Sequence, residues 1–557
     1  MSALIVVFLQ NLPEAGWDMG ASLVRMVLAY LLSLAFAITY GYFAATSRVA
    51  ERILLPILDI LQSVPIMGFF PVAIVFFVSL TGPQSIVGPN FAAVFLIFTS
   101  MSWNMAFGVY ESVKSLPGDL KEVSDSMGLR GWQRARRLFL PSTANRLVYN
   151  SVLSWTAGWY YLVTSEIFST YTTTIALPGI GTYLLRAAAG GNPGTILAGV
   201  FVLVLVIMLL NFLLWRPLSK WAEKYRYDVS PSGEAGELPG AAADRRASRI
   251  VGRAFVRGAS VVRRPLTRLG ERTLGALARQ PSPTPELVPS KKSHMIARNS
   301  LHYLALGIIL VVGWLLLIVL GVGVYSTYTS PISPTALHYI RLIPLALAFS
   351  AGRVFLAYLV SLAIAFPLAL WIFRSRRGTR FGMPVIQVIA SIPATALFPL
   401  FLFSLKDVIG TESAVIFVVV TGMIWYLFFN LYSGLRTIPP DLEEAARSMG
   451  LKGRPYYRKL VLPGTFAAFV TGSITALGGG WNTLVIAEYL SYGNQHISVL
   501  GLGELIDLGV FAPPTGIAGG FPLMVTALLT LTLTVVVVNK LIWRPLYRIA
   551  TEKYRYD

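Results

Sequence analysis

The sequence predicts an all-α, polytopic helical membrane protein: two parallel five-helix repeats plus one extra helix, about 11 spans. Three observations predict it. Of 557 residues, 55% are hydrophobic and 13% charged. A soluble domain carries about 25% charged residues, so too little polar surface is present to cover a water-soluble globule. Runs with few or no charges, near the ~20 residues that cross a bilayer, recur along the chain. The chain also repeats itself at an offset of 328 residues.

The runs come in two sets. Met26–Ser47, Ile53–Leu80 (interrupted by Asp59 alone), Phe91–Tyr110, Leu147–Ser165 and Thr195–Leu214 form the first. Leu301–Val324, Val354–Phe373, Pro384–Leu405, Ser413–Gly434, Gly464–Ala487 and Phe521–Asn539 form the second. Ala3–Leu9 is too short to span and lacks the basic flank of a signal peptide, so it is expected at the outer surface. Lys and Arg number 46 against 26 Asp and Glu. The excess lies in Glu111–Arg146, around Arg374–Arg380, in Arg436–Lys459 and at Arg544–Arg548. In a membrane protein that bias marks cytosolic loops and not nucleic-acid contact. An odd span count then places the N-terminus outside and the C-terminus in the cytosol of a cell (inner or plasma) membrane.

The repeat is explicit. Residues 22–37 and 350–365 share ten identities in sixteen; residues 116–128 and 438–450 share seven in thirteen, now at an offset of 322. Trp-Arg-Pro-Leu recurs at Trp215 and Trp543, and Glu223–Asp228 equals Glu552–Asp557. Each copy must start outside, and the extra span Leu301–Val324 carries the chain back there. The copies are thus parallel repeats about an axis along the membrane normal. The expected organisation is a short outer segment (1–20), a first transport unit (21–217), a basic cytosolic linker (218–300), the extra helix with an outer loop (301–345), a second unit (346–547) and a cytosolic tail (548–557). The linker's middle, Asp244–Arg279, reads as a basic tether or as a segment lying on anionic headgroups.

Each copy carries one long basic loop of the same design: Asp119-Leu-Lys-Glu-Val-Ser-Asp-Ser-Met-Gly128 with Pro141 after it, and Asp441-Leu-Glu-Glu-Ala-Ala-Arg-Ser-Met-Gly450 with Pro463 after it. Pro117-Gly-Asp119 and Pro439-Pro-Asp441 read as helix starts with an Asp cap, and Gly128 and Gly450 as helix ends. The expected form is a helix–turn–helix on the cytosolic surface. Glu444-Ala445-Ala446, Gly450 and Leu460-x-Leu-Pro463 resemble the EAA loop of type I ABC importer permeases. The first copy resembles it through Glu122, Gly128 and Pro141, with Val123-Ser124 replacing the two alanines. The resemblance implies that each short helix docks in a groove of a separate ATPase, with small Ala445 and Ala446 permitting close contact. It implies two ABC ATPase subunits and an extracytoplasmic solute-binding protein as partners, and no enzymatic activity in the chain itself.

Further motifs resemble the nitrate/sulfonate/taurine branch of that family: Ser22-x-x-Arg25 and Ser350-x-x-Arg353, Ser63-Val-Pro65 and Ser391-Ile-Pro393, Trp159 with Glu166 and Trp481 with Glu488, and the turns Leu177-Pro-Gly-Ile-Gly181 and Leu500-Gly-Leu-Gly503. They imply import of a small anion such as nitrate, a sulfonate or taurine. Arg25, Arg353, Glu166 and Glu488 read either as structural ion pairs or as pathway lining. No Gly-Lys dipeptide occurs, so no P-loop holds ATP. With no cysteines and His294, His302, His338 and His496 far apart, neither a metal nor a cofactor is expected. A secondary transporter is the competing class. It needs buried coupling acids at mid-span, and only Asp59 fits, its counterpart being the neutral Gln387.

Overall fold

The computed structural model describes residues 2–63, 66–82, 84–129, 132–172, 177–225, 321, 325, 332–492, 495–510 and 520–553. Most of the linker and of Leu301–Val324, the side chain of Asp59, the Val64-Pro65 pair and the tail beyond Lys553 lie outside the described residues.

The first copy comprises α1 (Ser2–Thr46), α2 (Arg48–Ser63), α3 (Ile66–Thr81), α4 (Val87–Lys114), α5 (Gly118–Ser126), α6 (Leu140–Thr172), α7 (Ile180–Ala189), α8 (Pro193–Leu210) and α9 (Arg216–Ala222). The second comprises α10 (Pro334–Arg374), α11 (Met383–Ser391), α12 (Ala394–Ile409), α13 (Thr411–Arg436), α14 (Pro440–Ser448), α15 (Leu462–Ala487), α16 (Leu502–Val510), α17 (Phe521–Val538) and α18 (Arg544–Lys553). Every helix of the first copy has its counterpart nine places on. The one departure from all-α among the described residues is an antiparallel hairpin, β1 (Tyr489–Tyr492) with β2 (Gln495–Ser498).

Among the described residues seven helices are long and apolar enough to cross a membrane, or eight if the bent pair Gly378–Ser391 and Ala394–Ile409 is one span. Of the eleven expected runs, Leu301–Val324 lies mostly outside the described residues, and others differ for physical reasons. Ile53–Leu80 is shared between two 16-residue helices, α2 and α3. Its counterpart breaks at Ile392, which is extended (φ −75°, ψ 121°) because Pro393 disfavours helix in the residue before it; the two arms meet at 80°. In α6, 33 residues long, Asn, Ser, Thr and Arg dilute the apolar face. Ala3–Leu9 is no separate segment but the first part of α1. At 1.5 Å per residue, α1 is roughly 67 Å long, about twice the ~30 Å hydrocarbon thickness.

Among the described residues five π-turns interrupt the helices, and each is followed two residues later by proline. Ala135–Phe139 precedes Pro141, Asn211–Trp215 precedes Pro217, Gly378–Gly382 precedes Pro384, Tyr457–Val461 precedes Pro463 and Asn539–Trp543 precedes Pro545. A proline has no N–H and its ring collides with the carbonyl four residues back. Widening the preceding turn by one residue relieves both, so the helix continues where a break was expected.

Within each copy the first helix packs on the fourth and the fourth on the sixth: α1 on α4 on α6, and α10 on α13 on α15. The halves meet through the bent elements. Helix α3 packs against α15, α16 and α17, and α12 against α6 and α7. Lipid is as apolar as leucine, so such contacts depend on close packing and hydrogen bonds. Tyr160 Oη bonds Thr483 Oγ1 at 3.0 Å, Thr395 Oγ1 donates to the Tyr160 carbonyl at 3.1 Å, and the Met67 N–H donates to Asn482 Oδ1 at 3.1 Å. Met67 lies in the first turn of α3, where the backbone N–H has no helical partner. Asn482→Ala is therefore expected to cost about 1–3 kcal/mol, while Asn482→Asp, which keeps the acceptor, costs less. Thermal unfolding of both variants in detergent checks this; equal losses would remove the bond from the account.

Candidate functional site

Two constellations recur in each half. The first is buried. In the first copy Arg25 Nη1 donates to Glu166 Oε1 at 2.7 Å, Nη2 to the Pro178 carbonyl at 2.8 Å and Nε to Asn90 Oδ1 at 2.6 Å. Ser22 Oγ donates to the same Glu166 oxygen at 2.7 Å and accepts from the Ile180 N–H at 2.9 Å. The Gly181 N–H, in the first turn of α7, donates to Glu166 Oε2 at 2.8 Å. The carboxylate thus sits at a helix N-terminus with three donors.

The second copy repeats this with one change. Arg353 Nη1 donates to Glu488 Oε1 at 2.7 Å and to the Leu500 carbonyl at 2.9 Å; Ser350 Oγ donates to Glu488 Oε1 at 2.6 Å and accepts from the Leu502 N–H at 2.9 Å. The Gly503 N–H donates to Glu488 Oε2 at 2.8 Å. Where the first copy has neutral Asn90, the second has Glu412, held by Arg353 Nε at 2.7 Å and Nη2 at 2.8 Å. Arg353 therefore carries two carboxylates and Arg25 one.

The Gly-rich turns exist because of these acids. A Cβ on Gly179 would lie 2.3 Å from the Glu166 carboxyl carbon, and one on Gly501 2.2 Å from that of Glu488. Only glycine lets the backbone close over a carboxylate this tightly. Sequence reading found Ser, Arg, Glu and Gly as separate motifs; the structure joins them into one clip tying α1, α6 and α7, or α10, α15 and α16. It missed Asn90 and Glu412, whose only signal is their shared position at the 322 offset. Glu166 and Glu488 are 0% exposed and both arginines 5%, so the arginines do not reach out to water. Trp159 and Trp481 are buried in the same apolar core.

The second constellation lies at the opposite, basic face. Helices α5 and α14 are nine residues each. Neither has a side-chain cap: the N-caps are Pro117 and Pro439, and Asp119 and Asp441 sit two positions further in than expected, in the first turn, favouring the helix dipole without capping it. The C-termini match the sequence reading. Gly128 (φ +67°) and Gly450 (φ +68°) adopt the left-handed conformation. Leu129 N–H bonds the Ser124 carbonyl and Leu451 N–H the Ala446 carbonyl, each at a span of five, while Gly128 and Gly450 bond Asp125 and Arg447. This is the Schellman stop in both copies.

Burial corrects one expectation. Glu122, Glu444, Ala445, Val123 and both glycines are exposed, but Ala446 and Ser124 are buried. Ala446 packs with Ile438 and Leu460 beneath its own loop, so its small size serves internal packing. Ser124 fills the equivalent place with its hydroxyl unbonded. Pro141 and Pro463 lie in the first turns of α6 and α15, after the π-turns that link these spans to the loops.

Removing one partner of a buried ion pair leaves the other uncompensated, at about 3–5 kcal/mol. Glu166→Ala is expected to lose that much, and Arg25→Met with Glu166→Met together clearly less than the sum of the single changes. Unfolding midpoints in detergent give the cycle; strict additivity would contradict a shared pair.

The comparisons with known proteins agree with this duplicated architecture. The family described as "Binding-protein-dependent transport system inner membrane component" matches residues 37–215 and again 357–543. The chain is 37% identical over 130 residues to the Escherichia coli (strain K12) aliphatic sulfonates transport permease protein SsuC, covering 23% of this chain and 47% of SsuC. It is 31% identical over 147 residues to the nitrate import permease protein NrtB of Leptolyngbya laminosa, covering 26% and 52%. It is 26% identical over 157 residues to the bicarbonate transport system permease protein CmpB of Synechococcus elongatus, covering 28% and 54%. The chain thus spans about half the length of these curated relatives. Two matched blocks, each holding one surface helix and the glutamate of one buried clip, make this chain a member of the binding-protein-dependent transport system inner membrane component family, with the transport unit present twice.

Proposed function

We propose that this chain is the fused membrane core of an ATP-driven importer that moves a small anion by alternating access. The observation carrying the reading is the pair of short helices α5 and α14, stopped by left-handed glycines and exposed on one basic face. Each is joined through a π-turn to a long span. Each helix docks in the groove of a separate ATPase subunit, so one chain engages two; ATP is hydrolysed there, not in this chain. A solute-binding protein outside delivers the substrate. The printed names of the relatives cite sulfonates, nitrate and bicarbonate, which supports a small oxyanion or sulfonate as cargo.

The basic face is read as cytosolic from its Lys and Arg content. A reporter active only in the cytosol should work when fused after Asp557 and stay silent at the N-terminus; the reverse pattern overturns this orientation.

Coupling gives the sharper test. A Cβ at Gly450 meets nothing within 4 Å in the chain itself, so Gly450→Glu is tolerated for insertion. It forces a non-glycine residue into the left-handed region, at ~1–2 kcal/mol, and crowds a docked partner, at about 1–3 kcal/mol. A total near 3 kcal/mol weakens docking on the order of a hundredfold. Uptake should be abolished, and native mass spectrometry should show the bound ATPase protomers falling from two per chain to one. Gly128→Glu should act similarly or more mildly, since Val123 already makes a bulkier contact face than Ala445. Intact uptake and stoichiometry in Gly450→Glu would remove the coupling role.

A further inference from the structure

A cavity of about 510 Å³ opens on the basic face between α2 and the end of α4, lined by Arg48, Glu51, Arg52, Leu55, Pro56 and Lys114. Its one acid is already engaged. Glu51 Oε1 accepts from Tyr110 Oη and Oε2 from Lys114 Nζ, both at 2.6 Å. Hydrogen bonds from Lys114 and Tyr110 hold its carboxyl below the usual carboxylate range, so it stays ionised. Three cations against this acid leave two positive charges, and neither Arg48 nor Arg52 has an ion-pair partner among the described residues.

The chemistry beside the cavity is apolar. Arg48 and Arg52 are one turn apart on α2. Directly next to them, again one turn apart, run Val49, Ile53 and Ile57, which are 70%, 55% and 42% exposed. A water-facing helix has no use for such a stripe. A stripe of cations alongside an exposed apolar stripe is the pattern of a helix lying in the headgroup–acyl boundary. The second copy repeats it at corresponding positions: Arg376 and Arg380 beside exposed Phe381 and Val385, with Arg436 in the place of Lys114.

We propose that the cavity between α2 and α4 binds the phosphate of an anionic phospholipid from the inner leaflet, with Arg48, Arg52 and Lys114 around the phosphate and an acyl chain along Val49, Ile53 and Ile57. The apolar stripe selects a lipid over a free anion of the same charge. The site also touches the transport machinery. Lys114 is the last residue of α4, and the coupling helix α5 begins at Gly118. A lipid here fastens α2 to the root of that loop. The proposal rests on the reading of this face as cytosolic, but lipid retention in a micelle does not depend on orientation, so the two fail separately.

The test uses the full chain in detergent micelles carrying equal phosphatidylcholine and phosphatidylglycerol, with retained lipid counted by native mass spectrometry. Phosphatidylglycerol should be retained over phosphatidylcholine. Arg48→Gln with Arg52→Gln should weaken that retention about thirtyfold at one site, the effect of two surface cations. Arg48→Lys with Arg52→Lys should keep most of it, and millimolar inorganic phosphate should not displace the lipid. Equal retention of both lipids or unchanged binding in the Gln variant would overturn the site. Loss in the Gln and Lys variants alike would assign the effect to the helix and overturn it as well. Displacement by phosphate would make this a free-anion site.

Discussion

A guanidinium and a carboxylate buried together in each half, at the end away from the basic loops, set the terms for everything around them. Placing Arg25 against Glu166, or Arg353 against Glu488, at 5% and 0% exposure is costly unless nearly every donor and acceptor is met. Meeting them recruits a serine one turn away, a backbone carbonyl and two N–H groups of a short helix. One of those N–H groups bonds the serine hydroxyl and the other the carboxylate, and the turn before the helix can close this tightly over the acid only if it carries no side chains. Hence the glycines, and hence the fixed position of α7 and α16 against the long spans. The clip anchors these elements through the Arg25–Glu166 and Arg353–Glu488 ion pairs.

At the other face the problem is reversed. Helices α5 and α14 are short, largely exposed and free of side-chain caps, so their geometry depends on how they end. The left-handed glycine turns the chain sharply and presses Ala446 or Ser124 into a small apolar cluster. From there each chain passes through a π-turn and a proline into a span that continues unbroken. Helix restarts at Trp132 or Arg454 and runs through the π-turn into α6 or α15.

The halves are alike in plan and unequal in chemistry. Arg353 is shared between two acids and Arg25 between an acid and an amide. Ala445 offers a smaller contact face than Val123. The cavity beside α2 contains an acid, Glu51, where the second copy has Thr379. Fusing two units into one chain allows each to drift in this way, because neither must also serve as the other's copy.

The sequence alone determined the class, the duplication and the identity of the motifs. Charge content, run length and repeat offset are local properties that survive without coordinates. The glycine helix stops were legible for the same reason: a left-handed residue after a short amphipathic helix is a local constraint. The helix boundaries were less so, because hydropathy averages over a window and cannot see that Ile53–Leu80 is shared between α2 and α3 or that α6 is a helix of mixed polarity. Nor could the sequence choose between ion pair and pathway for Arg25 and Glu166, which are 141 residues apart. Only tertiary structure brought them within 2.7 Å, turned Ala446 inward rather than toward a partner, and set Arg48 beside Lys114. Each of those outcomes is decided by which helices pack together, and packing is a property of the whole fold that no single segment encodes.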